Sequence, residues 1–233
     1  QVLARFGEPE GRHAFMMRVK HWAAGLGMNE AVNYSFVGNR DLDHLGLPRE
    51  GRVVIMNPLT AEQDVLRTEL APGLFQNVRQ NVSQGASGVR LFEVAEAFTA
   101  DPASDTTVRE VRHLAMVLYG SRYEESWAHA DEDMDYIDIK GIVEKLFAYL
   151  GLAKPSFSMA EGHPYLAPAV AVKLADGREA GVIGRLKPAL ADEYLARKAV
   201  WYADVDMDLL RAESAASRPV FRQLPVYPAV KRD

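Results

Sequence analysis

The strongest constraint in this sequence is a pair of apolar stretches, Val89 to Phe98 and Val111 to Tyr119, separated by the polar run Asp101-Pro102-Ala103-Ser104-Asp105-Thr106-Thr107. Each reads as a long strand, and two strands joined by so short a connection form an antiparallel hairpin most simply. A second hairpin is signalled at Asp176-Gly177, between apolar runs 170–174 and 179–183, because Asp-Gly supplies the positive φ that a two-residue turn demands. Hairpin-joined strands with helices between them predict an α+β domain, a mostly antiparallel sheet flanked by helices.

The helices are read from periodicity and punctuation. Phe15, Val19, Trp22, Ala23 and Leu26 recur at helical spacing, predicting a helix from about Glu10 to Leu26 that Gly25 and Gly27 end. Val32, Tyr34 and Phe36 alternate with Asn33 and Ser35 and predict a strand. A short helix near 41–45 and a strand over 52–56 are expected next. Thr60 with Gln63 reads as a capping box for a helix to about Leu70, and Pro72 starts another through Leu74, Val78 and Val82. A helix over 136–150, a helix from Pro188 to about Arg197 and a strand over 200–205 follow, before a segment broken by Pro219, Pro225 and Pro228.

Composition narrows the function. The 233 residues can bury one large core, the net charge is -5, and there is no cysteine. The acidic balance argues against a domain built mainly to grip phosphate backbones. The missing thiols exclude disulfides, thiolate catalysis and Cys-ligated zinc. No apolar run approaches the ~20 residues of a membrane helix, and the first residues lack a leader's apolar core, so we expect a cytoplasmic protein with no membrane partner. The start without Met and the stop at Asp233 suggest a piece of something longer.

Four stretches taken in order carry a family resemblance. They are Asn29 to Phe36; Asn57-Pro58-Leu59 through Leu66-Arg67-Thr68-Glu69-Leu70 and Pro72-Gly73-Leu74; Arg90-Leu91-Phe92-Glu93-Val94; and Tyr227-Pro228-Ala229-Val230-Lys231-Arg232-Asp233. Asp138-Ile139-Lys140-Gly141, His163-Pro164 and Gly184-Arg185-Leu186-Lys187-Pro188 support them. This pattern resembles the beta chain of bacterial phenylalanyl-tRNA synthetase, in the module that looks like a class II synthetase catalytic domain. The resemblance implies residues 1–10 as a linker and 11–233 as that pseudo-catalytic domain. It implies an alpha subunit as partner in an assembly of two alpha and two beta chains, with tRNA in the full complex. ATP and Mg belong to the full enzyme, and no cofactor to this segment. It also implies subunit contacts from the first helix and strand, with Phe15, Val19, Trp22, Leu26, Tyr34 and Phe36 as interface candidates.

Amino-acid activation needs cationic donors on the nucleotide phosphates. Catalytic class II relatives place arginines at the end of a long strand and on a late helix. Here the corresponding positions resemble Thr99 and Asp101, then Asp206 and Asp208, so no catalytic residue is expected. Arg211 reads as an exposed helix residue. Arg67-Thr68-Glu69 is read at the end of a helix, in the wrong place to hold ATP.

Other candidates weigh toward structural roles. His163 before Pro164 has no second ligand nearby, and a turn role is expected. Asp131, Glu132, Asp133 and Asp135 could hold a hard cation through oxygen, but their spacing fits no EF-hand, so no metal is expected. Met16, Met17 and Met28 accompany Trp22 as core residues that could also serve an interface. Gly181 and Gly184 suggest close packing or a bulge. Ser35 and Ser126 lack a base and an orienting acid. The competing readings are an active class II ligase or biotin ligase-like enzyme, which pyrophosphate exchange would reveal, and a direct tRNA-binding module, which salt-sensitive binding would reveal.

Overall fold

The computed structural model describes residues 11–216 except Leu59, Ala61, Glu124 and Glu125. The expected linker 1–10, the three late prolines and the motif 227–233 lie outside the described residues. The chain runs α1 (Arg12–Gly25), β1 (Asn29–Glu30), β2 (Phe36–Val37), α2 (Asn39–His44), β3 (Val65–Leu66), α3 (Ala71–Ser83), β4 (Gly88–Ala100), β5 (Val108–Gly120), α4 (Tyr136–Tyr149), β6 (Ser156–Met159), β7 (Leu166–Lys173), β8 (Glu179–Leu186), α5 (Pro188–Ala191), a 3-10 turn over Asp192–Tyr194, β9 (Val200–Asp206) and α6 (Met207–Ala216).

Seven strands form one sheet in the order β1-β4-β5-β9-β8-β7-β6, and β2-β3 form a separate ribbon. β4 and β5 pair antiparallel from Gly88↔Gly120 to Ala100↔Val108 without a break in register. β1 runs parallel to β4, so the sheet is mixed, with every other pairing antiparallel. Period-two alternation makes both faces of the central strands apolar. On β5, Leu114, Met116 and Leu118 join the core under α1, α4 and α6, while Ala115, Val117 and Tyr119 join the core under α2 and α3. α4 starts where Asp135 accepts the Ile137 and Asp138 N–H groups while Asp138 accepts the Asp135 N–H, a reciprocal cap.

Three expectations are corrected. The strand over 32–36 is not continuous: β1 and β2 lie in different sheets, and Val32 and Tyr34 between them are exposed. The segment 52–56 pairs only through the Val54↔Val65 bridge. The helix to Leu70 does not form. Instead Val65–Leu66 is a strand of the ribbon, and Arg67 continues extended, its N–H donating to the Ser35 carbonyl at 2.9 Å and its carbonyl accepting the Phe98 N–H at 2.9 Å. β6 has no counterpart in the sequence reading. Among the described residues no helix is long and apolar enough to cross a membrane.

Candidate functional site: an acidic cleft on the sheet

A cleft of about 400 Å³ opens on the sheet face that carries Tyr202 and Asp204 of β9. Its polar lining comes from Thr68 and Glu69 after β3, His113 of β5, His163 and Tyr165 before β7, Glu179 of β8, and Asp204 and Asp206 of β9. Among the described residues no lysine or arginine lines it. Aromatic rings pack beneath it: Phe75 lies 5.9 Å from Tyr165 and 5.3 Å from Tyr202, centroid to centroid.

Glu69 and Asp204 are already engaged. Tyr165 donates its hydroxyl to Glu69, and Tyr202 donates to Asp204 Oδ2 at 2.8 Å. His113 Nδ1 meets Asp204 Oδ1 at 2.5 Å. Burial pushes the Glu69 carboxyl up to about 7; the Tyr165 hydroxyl opposes this and the nearby Asp204 charge adds to it. At His113 burial works against the charge, yet the charge and hydrogen bond of Asp204 prevail and raise it to about 9. The cleft floor therefore keeps an imidazolium for its own aspartate, and a histidine so held is poorly placed to act as a base at neutral pH.

Asp206 accepts the Leu209 N–H at 2.8 Å and caps α6. Asp208 faces the other way, to Arg12 of α1 at 3.2 Å and to the Arg112 N–H at 3.0 Å. Thr99 and Asp101 sit at the far end of the β4–β5 hairpin, where the Ala100 N–H donates to Gly51. Of the four positions, only Asp206 reaches the cleft.

Arg67 stands at a different place from the one its sequence suggests. It is buried, with Nη1 on Glu93 Oε1 at 2.8 Å, Nε on the Glu96 carbonyl at 2.9 Å, and further contacts to the Asn33 and Tyr34 carbonyls. Glu93 also accepts from Asn33 Nδ2 at 2.7 Å. The guanidinium thus joins three segments of the fold. Arg211 is half-buried rather than exposed, and its Nε has no partner among the described residues.

His163 Nδ1 accepts the Leu166 N–H at 3.2 Å within its turn. Asp131 takes the Ser121 hydroxyl, Glu132 takes Arg122, Asp133 takes Lys198, and Asp135 caps α4. Side-chain cations and donors thus stand where a metal would, and no metal-binding group occurs among the described residues.

The interface candidates divide. Phe15 and Val19 are buried in the chain's own core, where α1 packs on the sheet. Trp22 and Leu26 pack against that core partly buried. Tyr34 (76% exposed) and Phe36 (47%) face solvent, and Val32, Val54 and Met56 of the same ribbon region are exposed too. The sequence reading did not single out Val54 and Met56, which alternate across Ile55 in the stretch expected as a strand.

The fold is that of class II aminoacyl-tRNA synthetases: two structures of pyrrolysyl-tRNA synthetase from Desulfitobacterium hafniense superpose with a TM-score of 0.65, at 13% and 15% identity, covering 84% of this chain and 66% of theirs. At that identity the likeness concerns the fold alone. A family model described as the phenylalanyl tRNA synthetase beta chain CLM domain matches residues 2–207, and the chain belongs to that family. It is similar to the phenylalanine–tRNA ligase beta subunit of Nitratidesulfovibrio vulgaris, 58% identical over 99% of this chain and 29% of that protein. That of Oleidesulfovibrio alaskensis is 50% identical over 97% of this chain and 28% of its own length. The chain therefore spans under a third of these curated relatives.

Proposed function

We propose that the chain is the non-catalytic, class II-like module, residues 11–233, of a cytoplasmic phenylalanine–tRNA ligase beta chain. It holds the alpha chain in an assembly of two alpha and two beta chains, and the alpha chain attaches phenylalanine to its tRNA with ATP and Mg. The observation that carries this reading is the cleft lining, which among the described residues has four carboxylates and no lysine or arginine.

The residues of the cleft do not fit a magnesium-bridged triphosphate. At an effective dielectric near 20, an ionised carboxylate about 5 Å from a phosphate charge costs about 3 kcal/mol. Asp204 and Asp206 are committed to His113, Tyr202 and the start of α6, so the two carboxylates of β9 already hold partners from the chain itself. No step of adenylate formation is routed through this cleft. The family's work falls instead to a presented surface, for which exposed Tyr34 and Phe36 on the β2–β3 side are the best-placed candidates.

Two measurements test the proposal. The isolated chain should give no phenylalanine-dependent pyrophosphate exchange, and exchange above background would overturn it. A full beta chain should co-purify with the alpha chain, and failure of both it and this segment to associate would remove the scaffolding role.

A further inference from the structure

Where the β2–β3 ribbon meets α2 and α3 the chain leaves a groove of about 870 Å³ that shares no lining residue with the acidic cleft. It runs between Phe36 of β2, Arg40 and Asp41 of α2, Glu62 before β3, and Gln76 and Arg79 of α3. The arginines that brace the fold hold carboxylates, as Arg52 holds Asp43, Arg67 holds Glu93 and Arg122 holds Asp138. Arg40 and Arg79 brace nothing. Both are exposed, and among the described residues neither makes a hydrogen bond or an ion pair, although they stand on two different walls of one groove.

The two carboxylates of the groove do not cancel that charge. Asp41 sits in the first turn of α2 with Oδ2 turned back toward Gly38, 3.3 Å from where a Cβ on that glycine would stand, and the N–H groups of a helix start favour a negative charge there. Glu62 alone is uncommitted, so two guanidiniums face one free acid in a chain whose net charge is -5. Aromatic residues, methionine and arginine are enriched at protein interfaces, while lysine and glutamate are depleted. This side of the molecule has that make-up: Tyr34, Phe36 and Met56 are exposed on the ribbon region, and Arg40 and Arg79 are exposed along the groove that it borders.

We propose that the groove takes an acidic segment of the alpha chain, with an apolar side chain seated against Phe36 and a carboxylate on each of Arg40 and Arg79. The proposal rests on the reading above that the Tyr34 and Phe36 side meets the alpha chain, and it adds the chemistry of the contact. Guanidiniums grip carboxylates and phosphates alike in bidentate pairs, so an RNA backbone is the alternative. The apolar Phe36, Val37 and Pro72 and the Glu62 carboxylate in the same lining favour protein.

Calorimetry of the alpha chain with the full beta chain, at low and at high salt, tests this. Arg40→Glu/Arg79→Glu should weaken binding about tenfold or more at low salt, Arg40→Gln/Arg79→Gln by less, and both should flatten the salt dependence of the parent. The melting temperatures of both variants should match the parent, since neither side chain holds a partner within the described residues. Parent affinity and parent salt dependence in the charge-reversed variant, with Tyr34→Ser/Phe36→Ser still weakened, would overturn the acidic segment and leave the interface standing. Parent affinity in both double variants would remove the interface along with it. Loss of tRNA binding in Arg40→Glu/Arg79→Glu, at unchanged affinity for the alpha chain, would overturn the proposal in favour of a phosphate backbone.

Discussion

Arg67 and Glu93 form an ion pair buried on both sides, Nη1 to Oε1 2.8 Å, between the segment after β3 and the central strand β4. Removing one member leaves the other as an uncompensated buried charge. Arg67→Met should therefore cost about 3–5 kcal/mol, read from urea unfolding midpoints. Adding Glu93→Gln to it should recover at least about 1 kcal/mol, because the glutamine can still accept from Asn33 without carrying a charge. A single variant no less stable than the parent would show the pair to be dispensable.

The cleft makes stability fall with rising pH in two windows. Glu69 is raised from 4.5 to about 7 by burial, so the benefit of its protonated form is complete below about 4.5 and lost as pH climbs to about 7. His113, held up at about 9 by Asp204 despite burial, contributes fully below about 6.5 and loses that contribution toward about 9. Thermal melts between pH 4.5 and 9.5 should therefore decline across both windows. Glu69→Gln should flatten the lower one, since an amide oxygen still accepts from Tyr165, and His113→Gln should flatten the upper one. A parent protein whose stability rises between pH 7 and 9 contradicts the assignment.

Gly181 has no room for a side chain. A Cβ there would lie 2.0 Å from the Asp204 carbonyl oxygen and 2.8 Å from the Val205 Cα, both backbone atoms that cannot rotate away. Gly181→Ala should cost about 3 kcal/mol or more and disturb Asp204, so that His113 titrates at a lower pH by proton NMR. Unchanged stability would mean that β8 and β9 can separate at little cost.

Tyr34 and Phe36 are exposed on the side proposed to meet the alpha chain. The double variant Tyr34→Ser/Phe36→Ser should melt within about 1 kcal/mol of the parent, yet bind the alpha chain at least about tenfold more weakly. Calorimetry on the full beta chain measures the second effect, and equal affinity would move the interface elsewhere.

What the sequence disclosed depended on how local the cause was. The β4–β5 hairpin joins strands that are neighbours in the chain, and α4 and the Asp176-Gly177 turn follow from contacts within a few residues, so the pattern announces them. The stretch from Thr60 to Leu70 misled because its capping-box letters are local, while the force that decides its course is not. Arg67 is drawn into an extended path by Glu93 and by the Asn33, Tyr34 and Glu96 carbonyls, from segments 26 to 34 residues away. The cleft was hidden for the same reason. His113 and Asp204 are 91 residues apart, and nothing near either one announces the other. Phe15 and Tyr34 looked alike as interface residues because periodicity marks an apolar face without saying whether the chain or a partner covers it.

The unbroken ladder between β4 and β5 also sets an order of events at the ribosome. Those two strands can zip as soon as Gly120 emerges, but the far edge of β5 pairs with β9 through Val117↔Tyr202 and its neighbours, some eighty residues later. Through that interval the nascent chain carries a bare strand edge that is apolar on both faces, the kind of surface that recruits unrelated chains. Synthesis of this segment thus passes through a period in which the open edge of β5 is exposed to pairing with other chains.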